Sequence, residues 1–139
     1  MPGYFAKEHR LTNLTLQPSG PNPLSAVKAE QVEILATFEP GKADSISFNL
    51  RGVSLSYDVR QGMLRYGKIN TPVPAQEGRV TLHMLLDQTS LEIFANSGLT
   101  YIPAKADPIE GNRDLAVQAK GGTAKFTTLE VYPLKSIWR

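Results

Sequence analysis

Residues 45–59 read Ser-Ile-Ser-Phe-Asn-Leu-Arg-Gly-Val-Ser-Leu-Ser-Tyr-Asp-Val, alternating apolar with polar almost without fault. Ile46, Phe48 and Leu50 share one face, Gly52 breaks the register, and Val53, Leu55, Tyr57 and Val59 resume it. A period of two sends successive side chains to opposite faces of an extended chain, so each half reads as a strand with one packed and one wet face. Arg51-Gly52 is the turn or bulge between them. The same pattern continues downstream. Gln61-Gly62 turns the chain into Met63, Leu64 and Tyr66. Val80, Leu82, Met84 and Leu86 alternate, and Leu91, Ile93 and Ala95 follow the polar break Gln88-Thr89-Ser90, which predicts a hairpin. Asn96-Ser97-Gly98 turns again into Leu99-Thr100-Tyr101-Ile102, Leu115, Val117 and Ala119 alternate, and Lys120-Gly121-Gly122-Thr123 leads into a last strand from Phe126 to Tyr132.

Upstream, Val32, Ile34, Ala36 and Phe38 alternate and Pro40-Gly41 ends them, so 31–39 reads as a strand. The wider stretch from Ser25 to Phe38 also carries the pattern of an amphipathic helix with Ser25 as its N-cap. Strands at intervals of about ten residues predict an all-β fold, a two-sheet antiparallel β-sandwich of jelly-roll or concanavalin-like type. Its expected interior includes Val80, Leu82, Met84, Leu86, Leu91, Ile93, Val117, Phe126 and Val131. Gln17-Pro18-Ser19-Gly20-Pro21-Asn22-Pro23 is rich in turn residues, so residues 1–24 are expected to be a lead-in and 25–139 the sandwich.

Composition removes several function classes. A chain of 139 residues buries one moderate core. Lys+Arg 15 against Asp+Glu 13 is nearly balanced and the positive residues are scattered, so no nucleic-acid partner is expected. Cysteine is absent, which excludes disulfides, thiol nucleophiles, zinc–thiolate sites and iron–sulfur clusters. His9 and His83 are the only histidines and no carboxylates stand at calcium-loop spacing, so neither a metal nor a cofactor is expected. A membrane span needs about 20 apolar residues and none is present, so no membrane partner is expected. Lys7, Glu8, His9 and Arg10 occupy the place of a signal peptide's apolar segment. The expected location is therefore the cytoplasm, or the extracellular or periplasmic space if the chain is a domain of a larger secreted parent.

No G-x-S-x-G elbow, P-loop, G-x-G-x-x-G or H-E-x-x-H run occurs. Asn13-Leu14-Thr15 fits the glycosylation pattern, which many unmodified chains also do. The segment richest in chemistry runs from Leu85 to Gly98. With Leu86 and Leu91 inward, Asp87 and Glu92 flank the hairpin tip on the other face or in the loop. Paired carboxylates serve acid–base work on a glycoside, accept the hydroxyl hydrogens of a bound sugar, or simply sit in water. A lone hairpin supplies no second wall to enclose a substrate, which argues against the first role.

These residues resemble the C-terminal β-sandwich module of the invertase, levanase and inulinase family of fructan-cleaving glycoside hydrolases. That module carries Asp-x-Ser-Ser-x-Glu-x-Phe-x-Asn-x-Gly in its central hairpin. This chain supplies Asp87, Ser90, Glu92, Phe94, Asn96 and Gly98, with Thr89 where the first Ser is usual. Val32-Glu33-Ile34, Phe48-Asn49-Leu50-Arg51 and Ser56-Tyr57-Asp58 are similar to its first three strands. Leu129-Glu130-Val131-Tyr132 and the tail Leu134-Lys135-Ser136-Ile137-Trp138 are similar to its ending. The resemblance implies that catalysis belongs to a separate propeller domain, the parent being a β-fructosidase-type glycoside hydrolase. The propeller's Trp-Met-Asn-Asp-Pro-Asn, Arg-Asp-Pro and Glu-Cys runs do not occur here, so the chain alone has no expected catalytic residue. It implies a module assisting that propeller or, as an alternative, a module recognising terminal fructose of a levan-type fructan. The candidate sugar ligands are Arg51, Asp87 and Glu92, with Tyr57, Tyr66 and Tyr101 as candidate stacking platforms.

Overall fold

A computed structural model describes residues 9–134 and shows a sandwich of two antiparallel sheets. The strands are β1 (His9–Leu16), β2 (Gln31–Glu39), β3 (Ser45–Leu50), β4 (Val53–Asp58), β5 (Met63–Tyr66), β6 (Ile69–Pro72), β7 (Val80–Leu86), β8 (Ser90–Ala95), β9 (Thr100–Lys105), β10 (Leu115–Lys120) and β11 (Ala124–Leu134). One sheet runs β1-β11-β2-β7-β8-β9 and the other β10-β3-β4-β5-β6. The alternation places every strand but β1 and β6 as expected, and all nine anticipated interior residues are buried. Residues 31–39 are a strand rather than the end of a helix, because β11 and β7 pair with their two edges and their period-two apolar face is buried in the core.

Aromatic rings join the two sheets. Phe38 and Phe126, from β2 and β11, lie 5.2 Å apart between centroids. Tyr57 of β4 meets Phe38 edge-on at 5.8 Å, and Phe48 of β3 meets Phe126 the same way at 6.5 Å. Edge-on contacts suit the ring quadrupoles and add to the area these rings bury. The Tyr57 hydroxyl donates to the Val73 carbonyl at 2.7 Å, so its polar end is satisfied inside the core.

The expected lead-in requires correction. Residues 9–16 are a strand of the sandwich, paired with β11 from His9–Val131 to Leu16–Ala124. Its apolar residues Leu11, Leu14 and Leu16 do not keep a period of two. Asn13, at φ 52°, sits where the β1–β11 ladder misses a pair. The turn-rich stretch after it is also tied down. The Asn22 amide donates to Leu115 O at 2.9 Å and accepts from Val117 N at 3.2 Å, which occupies part of the β10 edge, and Leu24 is fully buried. Two edge strands carry prolines, Pro103 in β9 and Pro72 in β6, which withhold a donor from edge-to-edge pairing. The expected tail at residues 135–139 lies outside the described residues.

The β3–β4 hairpin turns through Arg51 and Gly52 at φ 56° and 86°. Two residues in the left-handed region make the tight hairpin whose twist matches its strands. Any Cβ at position 52 would stand 2.4 Å from Ile109 Cδ1. Arg51 holds the same kind of conformation without glycine's freedom, at a cost of about 1–2 kcal/mol.

Truncating the ring that links both sheets, Phe126→Ala, is expected to cost roughly 3–5 kcal/mol in chemical denaturation. Tyr57→Phe leaves the Val73 carbonyl unpaired and is expected to cost about 1–3 kcal/mol at neutral pH. Burial, then the charge of Asp58, raises the Tyr57 pKa above its ordinary value. An acid with a raised folded-state pKa gives stability that is intact below its unfolded value, about 10, and falls as pH climbs from there. Stability curves of the two proteins should therefore converge above that pH. Parallel curves would show that the hydroxyl ionises as freely folded as unfolded.

Candidate functional site

The six candidates are spread over the molecule, and only Glu92 and Tyr101 are in contact with each other. Tyr57 is in the core, 1% exposed, and Tyr66 donates to Lys105 O at 2.7 Å, bridging the two sheets. Tyr57 is therefore a packing residue and offers no ring face to a sugar.

Arg51 is 8% exposed and lies at one end of the sandwich. Its Nε donates to Asn112 O at 2.6 Å, Nη1 to Glu30 O at 2.8 Å and Nη2 to Ile109 O at 3.3 Å. Its main chain joins in: Arg51 N donates to Asp114 O at 2.8 Å, and Arg51 O accepts from Ile109 N at 2.9 Å. A guanidinium is a rigid planar fork, suited to holding several carbonyls at fixed angles. Arg51 thus pins the irregular segment between β9 and β10 onto the β3–β4 turn. That segment, the turn and Gln88 of the β7–β8 loop border a half-open cavity of about 470 Å³, which Glu30, Glu110 and Arg113 also line. Glu30 and Arg113 pair there at 2.6 Å.

Asp87 is at the exposed tip of the β7–β8 loop, where its carboxylate accepts from Gln88 N. Glu92 lies one turn of the pleat away, on the outer face of the six-stranded sheet, opposite Leu85 and Pro103. Tyr101, on the neighbouring edge strand, is 52% exposed and donates to Glu92 Oε1 at 3.2 Å. Desolvation, then the hydrogen bond to Glu92 and its charge, raises the Tyr101 pKa. The Tyr101 ring stacks on Phe94 with centroids 4.8 Å apart, and Phe94 lies 5.7 Å from His83. His83 Nε2 meets Glu33 Oε2 at 2.6 Å, which ends the row. The structure brings Glu92 and Tyr101 together and leaves Arg51 elsewhere. Neither Asp87 nor Glu92 lines the end cavity.

Glu30, Gln88, Glu110 and Arg113 were not singled out in the sequence. They come from three separate segments with no common periodicity, and only the folded loops gather them. Asn96, by contrast, stands in the recognised hairpin pattern and does structural work. At φ 51° its side chain accepts from Thr81 N at 3.2 Å and donates to Pro74 O at 2.8 Å. No group of three or more metal-ligating side chains occurs among the described residues.

Residues 5–133 match the family model described as Glycosyl hydrolases family 32 C terminal. A levanase from Bacillus subtilis (strain 168) is 28% identical, across 91% of this chain and 22% of the levanase. Exo-inulinase from Aspergillus awamori superposes with a TM-score of 0.71 at 17% identity, over 96% of this chain and 30% of the inulinase. The β-fructofuranosidase from Schwanniomyces occidentalis complexed with fructosyl-erythritol gives 0.68 at 9% identity, over 95% and 34%. At such identities the two solved structures establish a shared fold. The chain spans about a fifth of the levanase's length and about a third of the other two. With the match running over nearly the whole sandwich, this chain belongs to the glycosyl hydrolase family 32 C-terminal family.

Proposed function

We propose that this chain is a non-catalytic β-sandwich module of a fructan- or sucrose-cleaving glycoside hydrolase, packing against a catalytic domain and stabilising it. The observation that carries this reading is the family match over residues 5–133 together with the small share of the levanase that the chain covers. The placement of the carboxylates supports it. Acid–base cleavage of a glycoside needs two carboxyl groups on opposite sides of one enclosed bond. Asp87 is at an open loop tip and Glu92 is engaged by Tyr101 on a flat sheet face.

A second reading, a module that binds fructose-containing sugar, is favoured by one feature. Tyr101 presents a half-exposed ring, held flat by Phe94, beside a carboxylate able to accept hydroxyl hydrogens. An open rim of this kind predicts weak affinity, on the order of 10 μM to 1 mM.

The purified chain should release no fructose from sucrose, levan or inulin. Fused to the catalytic domain of a related fructan hydrolase, it should raise that domain's melting temperature. Turnover by the chain that disappears in Asp87→Asn, or an unchanged melting temperature in the fusion, would refute the first reading. For the second, calorimetry with levan should show Glu92→Gln weakening binding several-fold with the melting temperature nearly unchanged. If the substitution instead unfolds the domain, Glu92 is a hairpin residue and nothing more.

A further inference from the structure

We infer that the cavity at the end of the sandwich, between the β3–β4 turn, the β7–β8 loop and the segment joining β9 to β10, binds a neutral polyhydroxyl ligand, a sugar of one or two rings. At about 470 Å³ it lies within the range of small-molecule sites, and it is separate from Glu92 and Tyr101. Its lining determines the ligand's chemistry. Arg51 and Arg113 balance Glu30 and Glu110, so the formal charge of the wall is zero. A net-neutral wall gives neither an anion nor a cation a net Coulombic reason to enter, and either would meet two like charges. The polar walls give a purely apolar ligand nothing in exchange for the water it displaces.

A hydroxylated ring suits this mixture. Each hydroxyl both donates and accepts, carboxylates accept from it, and guanidinium and amide N–H groups donate to it. Three of the five guanidinium N–H groups of Arg51 are committed to Asn112, Glu30 and Ile109, leaving two without a bond to the described residues. The bonds already made hold that guanidinium in place before a ligand arrives, so little conformational freedom is lost on binding. Arg113 is likewise oriented by Glu30, through Nε at 3.2 Å and Nη2 at 2.6 Å. The Gln88 amide adds both a donor and an acceptor from the opposite loop, and Pro108 supplies an apolar surface for the ring's C–H face.

The test is an amide-resolved NMR titration of the full chain with fructose, sucrose and glucose, with sulfate as the anionic comparison. At least one sugar should shift Gln88, Gly111 and Arg113 in a saturable way. Gln88→Ala and Glu110→Gln should each weaken that binding about fivefold or more with the rest of the spectrum unchanged, a loss of one or two hydrogen bonds. Tyr101→Ala should leave it unaltered. Shifts centred on Tyr101 and lost in Tyr101→Ala, an equal response to sulfate, or no response to any sugar would overturn the inference. Only the choice of fructose and sucrose rests on the fructan-module reading. Binding of glucose alone would uphold the cavity as a sugar site while counting against that reading.

Discussion

One buried guanidinium organises one end of this sandwich. Arg51 holds three backbone carbonyls from two separate segments, and its own main chain makes two more bonds to the second of them. A buried charge without partners would be costly, and so would carbonyls in an irregular segment left without donors. Each meets the other's need. Hydrogen bonds to a charged group contribute about 1.5–3 kcal/mol each. Three of them offset the left-handed backbone that Arg51 adopts in the hairpin. The same clamp fixes where Ile109 lies over Gly52, which is why position 52 has no space for a side chain.

The hairpin pattern shared with fructan hydrolases reads differently once its contacts are seen. Asn96 joins β7, the β8–β9 turn and the segment before β7, and Phe94 is the ring beneath Tyr101. These roles serve the architecture. A pattern of this kind identifies a family by how the chain turns and pairs, and says nothing about which groups a ligand touches. Membership in the family is therefore compatible with Asp87 and Glu92 not facing one enclosed bond.

The sheets were legible wherever one face is buried and the other wet. β7 and β8 keep the period without interruption, and so does β2 despite its helix-like composition. β1 was hidden because Leu11 and Leu14 are three apart across Asn13, and β6 because Ile69-Asn70-Thr71-Pro72 is short and ends in proline. At the candidate site, Tyr57 shared its face with Val53 and Leu55, so the alternation itself already placed it inside. Arg51 was legible as a turn residue, but not the direction of its side chain. Its partners at 30, 109 and 112 are distant in sequence and are backbone oxygens, which carry no residue signature. The pairing of Glu92 with Tyr101 depended on the β8–β9 register, which the loop length sets.

Native-state hydrogen exchange on Arg51→Met tests the clamp most directly, since methionine keeps an unbranched stem and removes the donors. Amides of Ala29, Arg51, Ile109 and Asn112, whose bonds lie in the clamped region, should lose about tenfold or more of their protection. Amides of Ile34, Met84 and Ile93, in the centre of the six-stranded sheet, should keep theirs. Unchanged protection at the first four positions would show that the end of the sandwich holds its shape without Arg51, and would contradict the account.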